Sequence, residues 1–152
     1  MSSEIAIRPA ARADAQTIAG FNQKMAEETE DKTLDPETVR KGVEAILNDP
    51  SRGFYLVAEG EGGVAGSLMV TPEWSDWRNG AFWWIQSVYV RPGARRRGVY
   101  RALHRAVRQR ARDDEGVCGL RLYVERGNER ARETYEALGM TETAYRMYEQ
   151  IL

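Results

Sequence analysis

Apolar and polar residues recur along the chain with two different periods, which divide it into predicted strands and helices. Strand patterns, which alternate or are dense in aromatic and β-branched residues, occur at residues 4–8, 54–59, 64–71, 81–90, 120–124 and 143–152. Helical patterns, with apolar residues three or four positions apart, occur at residues 14–27, 36–48, 97–112 and 128–138. The predicted order is β-α-α-β-β-β-α-β-α-β. Because it mixes hairpins with crossover helices, it indicates the α/β or α+β class with a mixed sheet.

Turn residues support several of these boundaries. Asp35 followed by Pro36 predicts a helix start, with an N-cap and a proline at the first helical position. The glycine-rich residues 60–63 predict a hairpin between two strands. Two stretches show no apolar periodicity and are interpreted as loops, the acidic residues 26–35 and residues 72–80.

Composition and charge narrow the class of protein. The chain has 152 residues, 42% of them hydrophobic and 30% charged, which fits a single globular domain with its own core. The net charge of -1 argues against a general nucleic-acid binder. Cys118 is the one cysteine, which excludes an internal disulfide framework and a cysteine-based metal cluster. No signal-peptide pattern and no apolar run of about 18 residues occurs, so we expect a cytoplasmic protein without membrane or metal.

One stretch combines a strand, a basic glycine turn and a helix start. The aromatic strand at residues 81–90 is broken by Pro92 and Gly93. Three arginines and Gly98 follow, directly before an amphipathic helix. The first N–H groups of a helix lack internal partners, and the helix dipole adds partial positive charge there. Glycine lets the backbone approach a ligand closely, so this turn is a candidate phosphate site.

This stretch resembles the acetyl-CoA motif of the GNAT superfamily of acyl-CoA-dependent N-acyltransferases. The pattern is Arg95-x-x-Gly98-x-Tyr100, and it departs from the family at Tyr100, where a small residue is usual. In the family this turn wraps the pyrophosphate of coenzyme A, while the preceding strand pairs with the pantetheine arm. The resemblance therefore implies ten cofactor-binding residues, namely Val88, Tyr89, Val90, Arg95, Arg96, Arg97, Gly98, Val99, Tyr100 and Arg101.

A second motif, about thirty residues later, strengthens the resemblance. After a strand come Asn128-x-x-Ala131 and then Tyr135-x-x-Leu138-Gly139, in the family's order. The resemblance implies that Asn128 and Ala131 help to hold the cofactor and that Tyr135 faces its sulfur. A tyrosine hydroxyl of pKa about 10 can donate a proton to a departing thiolate, so Tyr135 is the candidate general acid; the alternative is that it only packs under its helix.

The general base and the acceptor are less well defined by the sequence. Many family members carry a glutamate on the strand before the cofactor motif, where this chain has Gln86, which cannot act as a base. The proton could instead leave through water to Glu73, Asp76 or the acidic loop. Carboxylates and exposed aromatic rings suit a small cationic amine or a lysine-like acceptor. The candidate acceptor residues are Glu28, Trp74, Asp76, Trp77 and Gln86, and the alternative is that they are ordinary loop residues.

The other notable side chains receive structural interpretations. We expect His104, the single histidine, at a surface or rim position, and Cys118 has no neighbouring base that would make it a nucleophile. The arginines on the long helix are interpreted as a solvated face that could also touch RNA or the 3′-phosphate of coenzyme A.

Together, the residues and the resemblance predict a single-domain N-acetyltransferase with a GNAT-like, mostly antiparallel mixed sheet flanked by helices. It would transfer an acetyl group from acetyl-CoA directly to an amine of a small molecule or peptide. Two other functions stay open: a non-catalytic acyl-CoA-binding or sensor domain, and an RNA-binding protein. Because relatives are commonly dimers, a homodimer also stays open.

Overall fold

The computed structural model describes residues 4–152 and contains five strands and four α-helices in that range. Short 3-10 turns at Arg12–Asp14 and Pro92–Ala94 precede α1 and α3. In chain order the elements are β1 Ala6–Pro9, α1 Ala15–Glu30, α2 Pro36–Asn48, β2 Phe54–Gly60, β3 Gly63–Ser75, β4 Gly80–Val90, α3 Val99–Asp113, β5 Val117–Arg121 and α4 Glu129–Ala137.

All five strands form one sheet in the order β1-β2-β3-β4-β5. The pairs from β1 to β4 are antiparallel, whereas β4 and β5 are parallel and are connected through α3. The predicted mixed, mostly antiparallel sheet with flanking helices is confirmed. Since a parallel connection needs a crossover element, α3 must lie against the sheet, and its first turn follows directly from the end of β4.

The chain divides into two compact units, Met1–Leu122 and Tyr123–Leu152. The first unit contains the sheet and the first three helices, and residues alternate along its strands between two apolar clusters. One cluster joins the sheet to α3 and includes Leu56, Leu68, Val70, Ile85, Val99, Leu103 and Val107. The other joins the opposite face to α1 and α2 and includes Ile18, Val43, Tyr55 and Val57.

Local signals in the sequence explain where α2 and α3 lie. The carboxylate of Asp35 accepts a hydrogen bond from the backbone N–H of Thr38 at 3.0 Å, so the predicted N-cap is confirmed. In α3 the apolar stripe is buried, while Arg101, Arg105 and Arg112 are exposed on the other side. An amphipathic helix is held in this way by one face, and the polar face stays in water.

Two predicted loops are largely regular structure. The acidic stretch at residues 26–35 was expected to be a loop, but α1 continues to Glu30 and ends where Asp31 adopts a left-handed conformation, with φ 51°. Residues 27–30 are exposed, so their charges stay in water while the helix continues. Charged side chains on the exposed face do not end a helix. Likewise, β3 extends through Ser75 instead of ending at residue 71, because it pairs with the start of β4 as far as Gly80.

Two strand predictions are wrong: one strand lies at a different position, and the other does not form. The strand expected at residues 120–124 is β5, Val117–Arg121, whose place is fixed by its pairing with residues 81–84 of β4. The strand expected at residues 143–152 does not form, since no strand pairs with this segment within the described residues. Alternation of side chains shows that a segment could form a strand, but only a hydrogen-bonding partner makes it one.

Candidate active site

The end of β4 departs from regular strand geometry beside its unpaired edge. Ser67 pairs with Tyr89 and Met69 with Gln86, so two residues of β4 stand opposite one residue of β3. The extra residue is Ser87, in a left-handed conformation with φ 51°, and the arrangement is a β-bulge. On the other side, β5 pairs with β4 only as far as Trp84. Residues 85–90 therefore have no strand on their β5-facing side in the described chain.

The turn from β4 into α3 is built from unusual backbone conformations. Arg96 has φ 65° and Gly98, the residue before the helix, has φ 79°. The carbonyl oxygen of Gly98 accepts the first helical hydrogen bond, from the N–H of Ala102 at 3.0 Å. No side chain of the described residues caps this helix end. A Cβ built on Gly98 has no atom within 4 Å, so the approach to the first N–H groups is open.

Arg95 anchors this turn to the end of α1. Its Nε donates to the carbonyl oxygen of Val90 at 2.8 Å, and its Nη2 donates to a carboxylate oxygen of Glu28 at 2.8 Å. The guanidinium lies 5.4 Å from the ring of Tyr89, whose hydroxyl donates to Glu28 at 3.3 Å. The hydrogen bond from Arg95 lowers the pKa of Glu28, while burial raises the pKa of Tyr89. Three predicted site residues are thus brought into one network.

Other arginines beside the turn keep their charges exposed. Arg96, Arg97 and Arg101 are exposed, and none of them forms an ion pair within residues 4–152. By contrast, the charge of Arg95 is largely neutralised by Glu28. An anion at the start of α3 would therefore meet backbone N–H groups and these three free guanidinium groups.

Tyr100 is turned towards the buried side of α3. Its ring packs against the apolar cluster below that helix, and its hydroxyl lies 3.0 Å from Nδ1 of His104. The expectation that His104 lies at the surface or rim is wrong, because its side chain is only 1% exposed. A histidine four residues after this half-buried tyrosine lies on the same face of the helix, where the two side chains are in contact. Burial lowers the pKa of His104 and so favours the neutral ring.

The second motif lies in the second compact unit, on α4. The side-chain oxygen of Asn128 accepts a hydrogen bond from the N–H of Ala131 at 3.1 Å and caps this helix. Gly139, with φ 93°, follows the end of the helix as predicted. Tyr135 is half-buried, and burial raises the pKa of its hydroxyl. The hydroxyl is therefore protonated at neutral pH, the state that a general acid needs.

Polar and aromatic side chains on the α1–α2 face of the sheet form a connected group that the sequence did not reveal. Glu73 accepts hydrogen bonds from Nε1 of Trp84 at 3.0 Å and from Nη1 of Arg121 at 2.8 Å. Arg121 also lies 3.6 Å from the ring centre of Phe82. The hydrogen bond from Trp84, followed by Arg121, lowers the pKa of Glu73 and makes it a weaker base. Trp84 and Arg121 are neighbours through strand register, which a single sequence does not display.

The candidate acceptor residues fall into separate groups. Trp74 and Trp77 lie at the β3–β4 hairpin tip, 64% and 89% exposed as predicted, with Asp76 between them. Gln86 lies further along β4, where its amide donates to the hydroxyl of Thr71. Glu28 instead pairs with Arg95. The contacts of the described residues do not bring these groups together.

Comparison with known proteins connects this geometry to a family. The sequence matches the acetyltransferase (GNAT) family over residues 17–140. The chain belongs to this family. Among curated proteins, none matches the sequence. The GNAT match includes both sequence motifs and reaches into the second compact unit, so the resemblance seen in short patterns extends over most of the chain.

Solved GNAT-like structures have the same fold. A possible acetyltransferase from Clostridium difficile is 47% identical, with a TM-score of 0.90 and 97% of each chain covered. An aminoglycoside N-acetyltransferase in complex with CoA is 17% identical, with a TM-score of 0.81 over 99% of this chain and 97% of that one. A ribosomal-protein-alanine N-acetyltransferase from Brucella melitensis is 18% identical, with a TM-score of 0.78 over 98% and 99%. The last two comparisons show the fold alone.

Two further observations on this GNAT chain concern membrane-spanning helices and metal-binding groups. None of the helices in the described part of the chain is long and apolar enough to span a bilayer. Within residues 4–152, no group of three or more histidine, cysteine, aspartate or glutamate side chains is placed to hold a metal ion.

Proposed function

We propose that this GNAT-family protein is an N-acetyltransferase that moves an acetyl group from acetyl-CoA to a primary amine. The observation that carries the proposal is the bulged, one-sided end of β4, which leads through Gly98 into the uncapped start of α3. A strand edge can pair with the amide groups of a pantetheine arm, and a helix start can hold a pyrophosphate. These two features follow each other directly along the chain.

The turn offers the pyrophosphate several favourable contacts. Backbone N–H groups of residues 98–101 lie at the helix start, and Arg96, Arg97 and Arg101 supply exposed positive charge. Arg95 has a different role in this proposal from the one its motif suggests. Because its guanidinium is bonded to Val90 and Glu28, it fixes the shape of the turn, and the backbone binds the phosphates.

The reaction proposed is a direct transfer within a complex of enzyme, acetyl-CoA and amine. The neutral amine attacks the thioester carbonyl, a new C–N bond forms, and the C–S bond breaks. The amine loses one proton through water, and the departing thiolate takes one proton from the Tyr135 hydroxyl. Burial raises the pKa of this hydroxyl, so it is protonated at neutral pH before the transfer. Asn128 and Ala131, at the start of the same helix, are proposed to contact the cofactor arm.

The acceptor proposed is a small cationic amine or a lysine-like side chain. Trp74, Asp76 and Trp77 offer aromatic faces and a carboxylate at the hairpin tip, which favour a cation. Gln86 has no basic group and Glu73 is weakened by its partners, so we propose that water removes the amine's proton. Two structural neighbours are named as acetyltransferases of an aminoglycoside and of a ribosomal protein's alanine, both amine acceptors. A screen in which neutral or acidic amines outperform polyamines and lysine analogues would contradict this acceptor class.

The cofactor assignment is tested by calorimetric titration with acetyl-CoA and desulfo-CoA. We expect the wild type to bind both, and the Gly98→Glu variant to lose binding because its carboxylate lies where the pyrophosphate would be. Gly98→Asn is the matched control, since asparagine tolerates positive φ and adds no charge. Binding that survives in Gly98→Glu, or is absent in the wild type, contradicts the assignment.

Turnover separates an enzyme from a sensor. A chain that binds acetyl-CoA but releases no free thiol with any amine would be an acyl-CoA-binding or sensor domain. Salt-sensitive RNA binding without any response to coenzyme A would instead indicate a nucleic-acid-binding protein. We place the reaction in the cytoplasm, because the single cysteine, Cys118, is exposed and unpaired and suits a reducing compartment.

A further inference from the structure

The last turn of α1 contacts the turn that leads from β4 into α3. Phe21 and Glu28 lie seven residues apart and therefore on the same face of α1. The ring of Phe21 is buried and lies 5.0 Å from the ring of Tyr89. Further along the helix, the carboxylate of Glu28 bonds to both Tyr89 and Arg95. A packed helix thus places this carboxylate at the base of the turn.

Both oxygens of the Glu28 carboxylate accept hydrogen bonds. Oε1 accepts from the Tyr89 hydroxyl at 3.3 Å, and Oε2 accepts from Nη2 of Arg95 at 2.8 Å. Nε of Arg95 donates to the main-chain carbonyl oxygen of Val90 at 2.8 Å. The donors of a guanidinium lie in one fixed plane, which an ammonium group does not offer. One side chain therefore joins α1, the end of β4 and the turn, and it fixes where residue 95 lies relative to α1.

The residues after Arg95 have little main-chain support of their own. Arg96 is in the left-handed region, with φ 65°, which is unfavourable for a residue other than glycine. Within residues 4–152, the N–H groups of Arg96 and Arg97 donate to no other main-chain group. The contacts of the Arg95 side chain, directly before these two residues, therefore restrain the turn.

We infer that Glu28 and Tyr89 are positioning residues for the cofactor: through Arg95 they hold the turn in the shape in which its N–H groups bind a diphosphate. The inference rests on the proposed function, which places the pyrophosphate of acetyl-CoA at this turn. It removes Glu28 from the predicted acceptor residues, because both carboxylate oxygens are already bonded. Since the turn is held in the free protein, less conformational entropy is lost when the cofactor binds.

A direct contact between Arg95 and the phosphates predicts the opposite effect of Glu28. In that case Glu28 would compete with the phosphates, because two anions would share one guanidinium. Removing the charge of Glu28 would then free Arg95 and tighten cofactor binding. If Glu28 positions Arg95 and the turn, the same change loosens the turn and weakens binding. The sign of the effect therefore distinguishes the two roles.

Calorimetric titration of the Glu28→Gln variant with acetyl-CoA measures this sign. We expect Kd to rise about three- to tenfold, since the freed side chain and turn must be ordered on binding. Tyr89→Phe, which removes only the hydroxyl that contacts Glu28, should weaken binding less. Glu27→Gln is the matched control, because it removes the same charge from an exposed neighbouring position and should leave Kd unchanged. Tighter or unchanged binding in Glu28→Gln overturns the inference and leaves the proposed function standing.

Steady-state kinetics separates positioning from catalysis and from acceptor binding. In Glu28→Gln, kcat and the KM for the amine should match the wild type, and only the KM for acetyl-CoA should rise. Adding Glu28→Gln to Arg95→Met should weaken acetyl-CoA binding no further than Arg95→Met alone, because the two residues act as one unit. A changed kcat or amine KM, or additive effects of the two substitutions, would overturn the inference.

Limited digestion with trypsin tests the hold on the turn without any cofactor. Trypsin cuts after arginine where the backbone can open locally, and the turn contains Arg96 and Arg97. Cleavage after these two residues, identified by mass spectrometry, should be faster in Glu28→Gln than in the wild type or Glu27→Gln. Equal rates overturn the inference even where acetyl-CoA binds. A wild type that binds no acetyl-CoA contradicts the proposed function and the role towards the cofactor, whereas the cleavage rates still show whether Glu28 holds the turn.

Discussion

At the scale of single residues, the burial of His104 makes the stability of the fold depend on pH. Its ring is buried against α3's apolar cluster, beside Tyr100, and burial lowers its pKa below the ordinary value near 6.5. The unfolded chain therefore binds a proton more readily than the folded chain. The stability that neutral His104 provides is complete above pH 6.5 and is lost as the pH falls towards its folded pKa.

The His104→Gln variant checks this prediction. Glutamine can still bond the Tyr100 hydroxyl but does not titrate. We expect the urea midpoint of the wild type to fall as the pH is lowered below about 6.5, and that of the variant to fall less. Equal slopes in the two proteins would show that other groups produce the pH dependence.

Tyr135 carries the chemical prediction at the same scale. Removing its hydroxyl in Tyr135→Phe should lower kcat by about 10²- to 10⁴-fold, the range of general acid catalysis, with little change in acetyl-CoA binding. Tyr145→Phe is the control, since that side chain is exposed in the same compact unit. Steady-state kinetics with calorimetry measure both quantities. An unchanged kcat would leave Tyr135 a packing residue only.

At the scale of elements, Gly66 holds β3 close to the end of β4. A Cβ there would lie 2.8 Å from the carbonyl oxygen of Tyr89 and 3.3 Å from the side chain of Val99. The neighbour is backbone, so the strand must move, and Gly66→Ala should destabilise the fold by about 1–3 kcal/mol and weaken cofactor binding. Gly42→Ala, in an exposed part of α2 with open space around it, should instead stabilise by about 0.5–1 kcal/mol. Denaturant titration of both variants measures this contrast; a Gly66→Ala as stable as the wild type would contradict it.

The helices and strands also show which element boundaries can be predicted from a single sequence. Caps and amphipathic stripes are local, so Asp35 and the stripe of α3 place their helices correctly. Strand ends depend on partners that are distant in sequence. For this reason the position of β5 and the full length of β3 were not predictable, and neither was the failure of residues 143–152 to form a strand. The end of α1 was missed because its charged residues suggested a loop, although charge alone does not end a helix.

In the candidate site, too, local features were predictable from the sequence and contacts between distant residues were not. Gly98 and its turn were predicted from a short motif, and in the structure Arg96 and Gly98 both have positive φ. The side-chain partners do not follow from it. The pairing of Arg95 with Glu28 joins positions 67 residues apart, and that of Glu73 with Arg121 joins positions 48 apart. Both pairs change the expected role of a residue. The guanidinium of Arg95 is already bonded to Glu28, and the hydrogen bonds to Glu73 lower its pKa and make it a weaker base.

At the scale of the whole molecule, the two compact units each carry one of the two family motifs. The pyrophosphate turn belongs to Met1–Leu122, and Asn128 and Tyr135 belong to Tyr123–Leu152. Under the proposed function both motifs serve acetyl-CoA, so the cofactor should stabilise the folded form of each unit that it contacts. At a cofactor concentration of 100 times Kd, this linkage is worth about 2.7 kcal/mol.

Hydrogen exchange with and without acetyl-CoA tests the coupling. We expect the cofactor to slow exchange both in residues 88–101 and in α4, Glu129–Ala137, because the proposed function assigns cofactor contacts to residues of both segments. In Gly98→Glu, where the turn is blocked, protection of α4 should disappear together with that of the turn, although residue 98 lies outside α4's unit. Desulfo-CoA should protect both segments as well, since it keeps the pyrophosphate and the pantetheine arm. Protection confined to the turn would contradict the proposed roles of Asn128 and Tyr135 towards the cofactor.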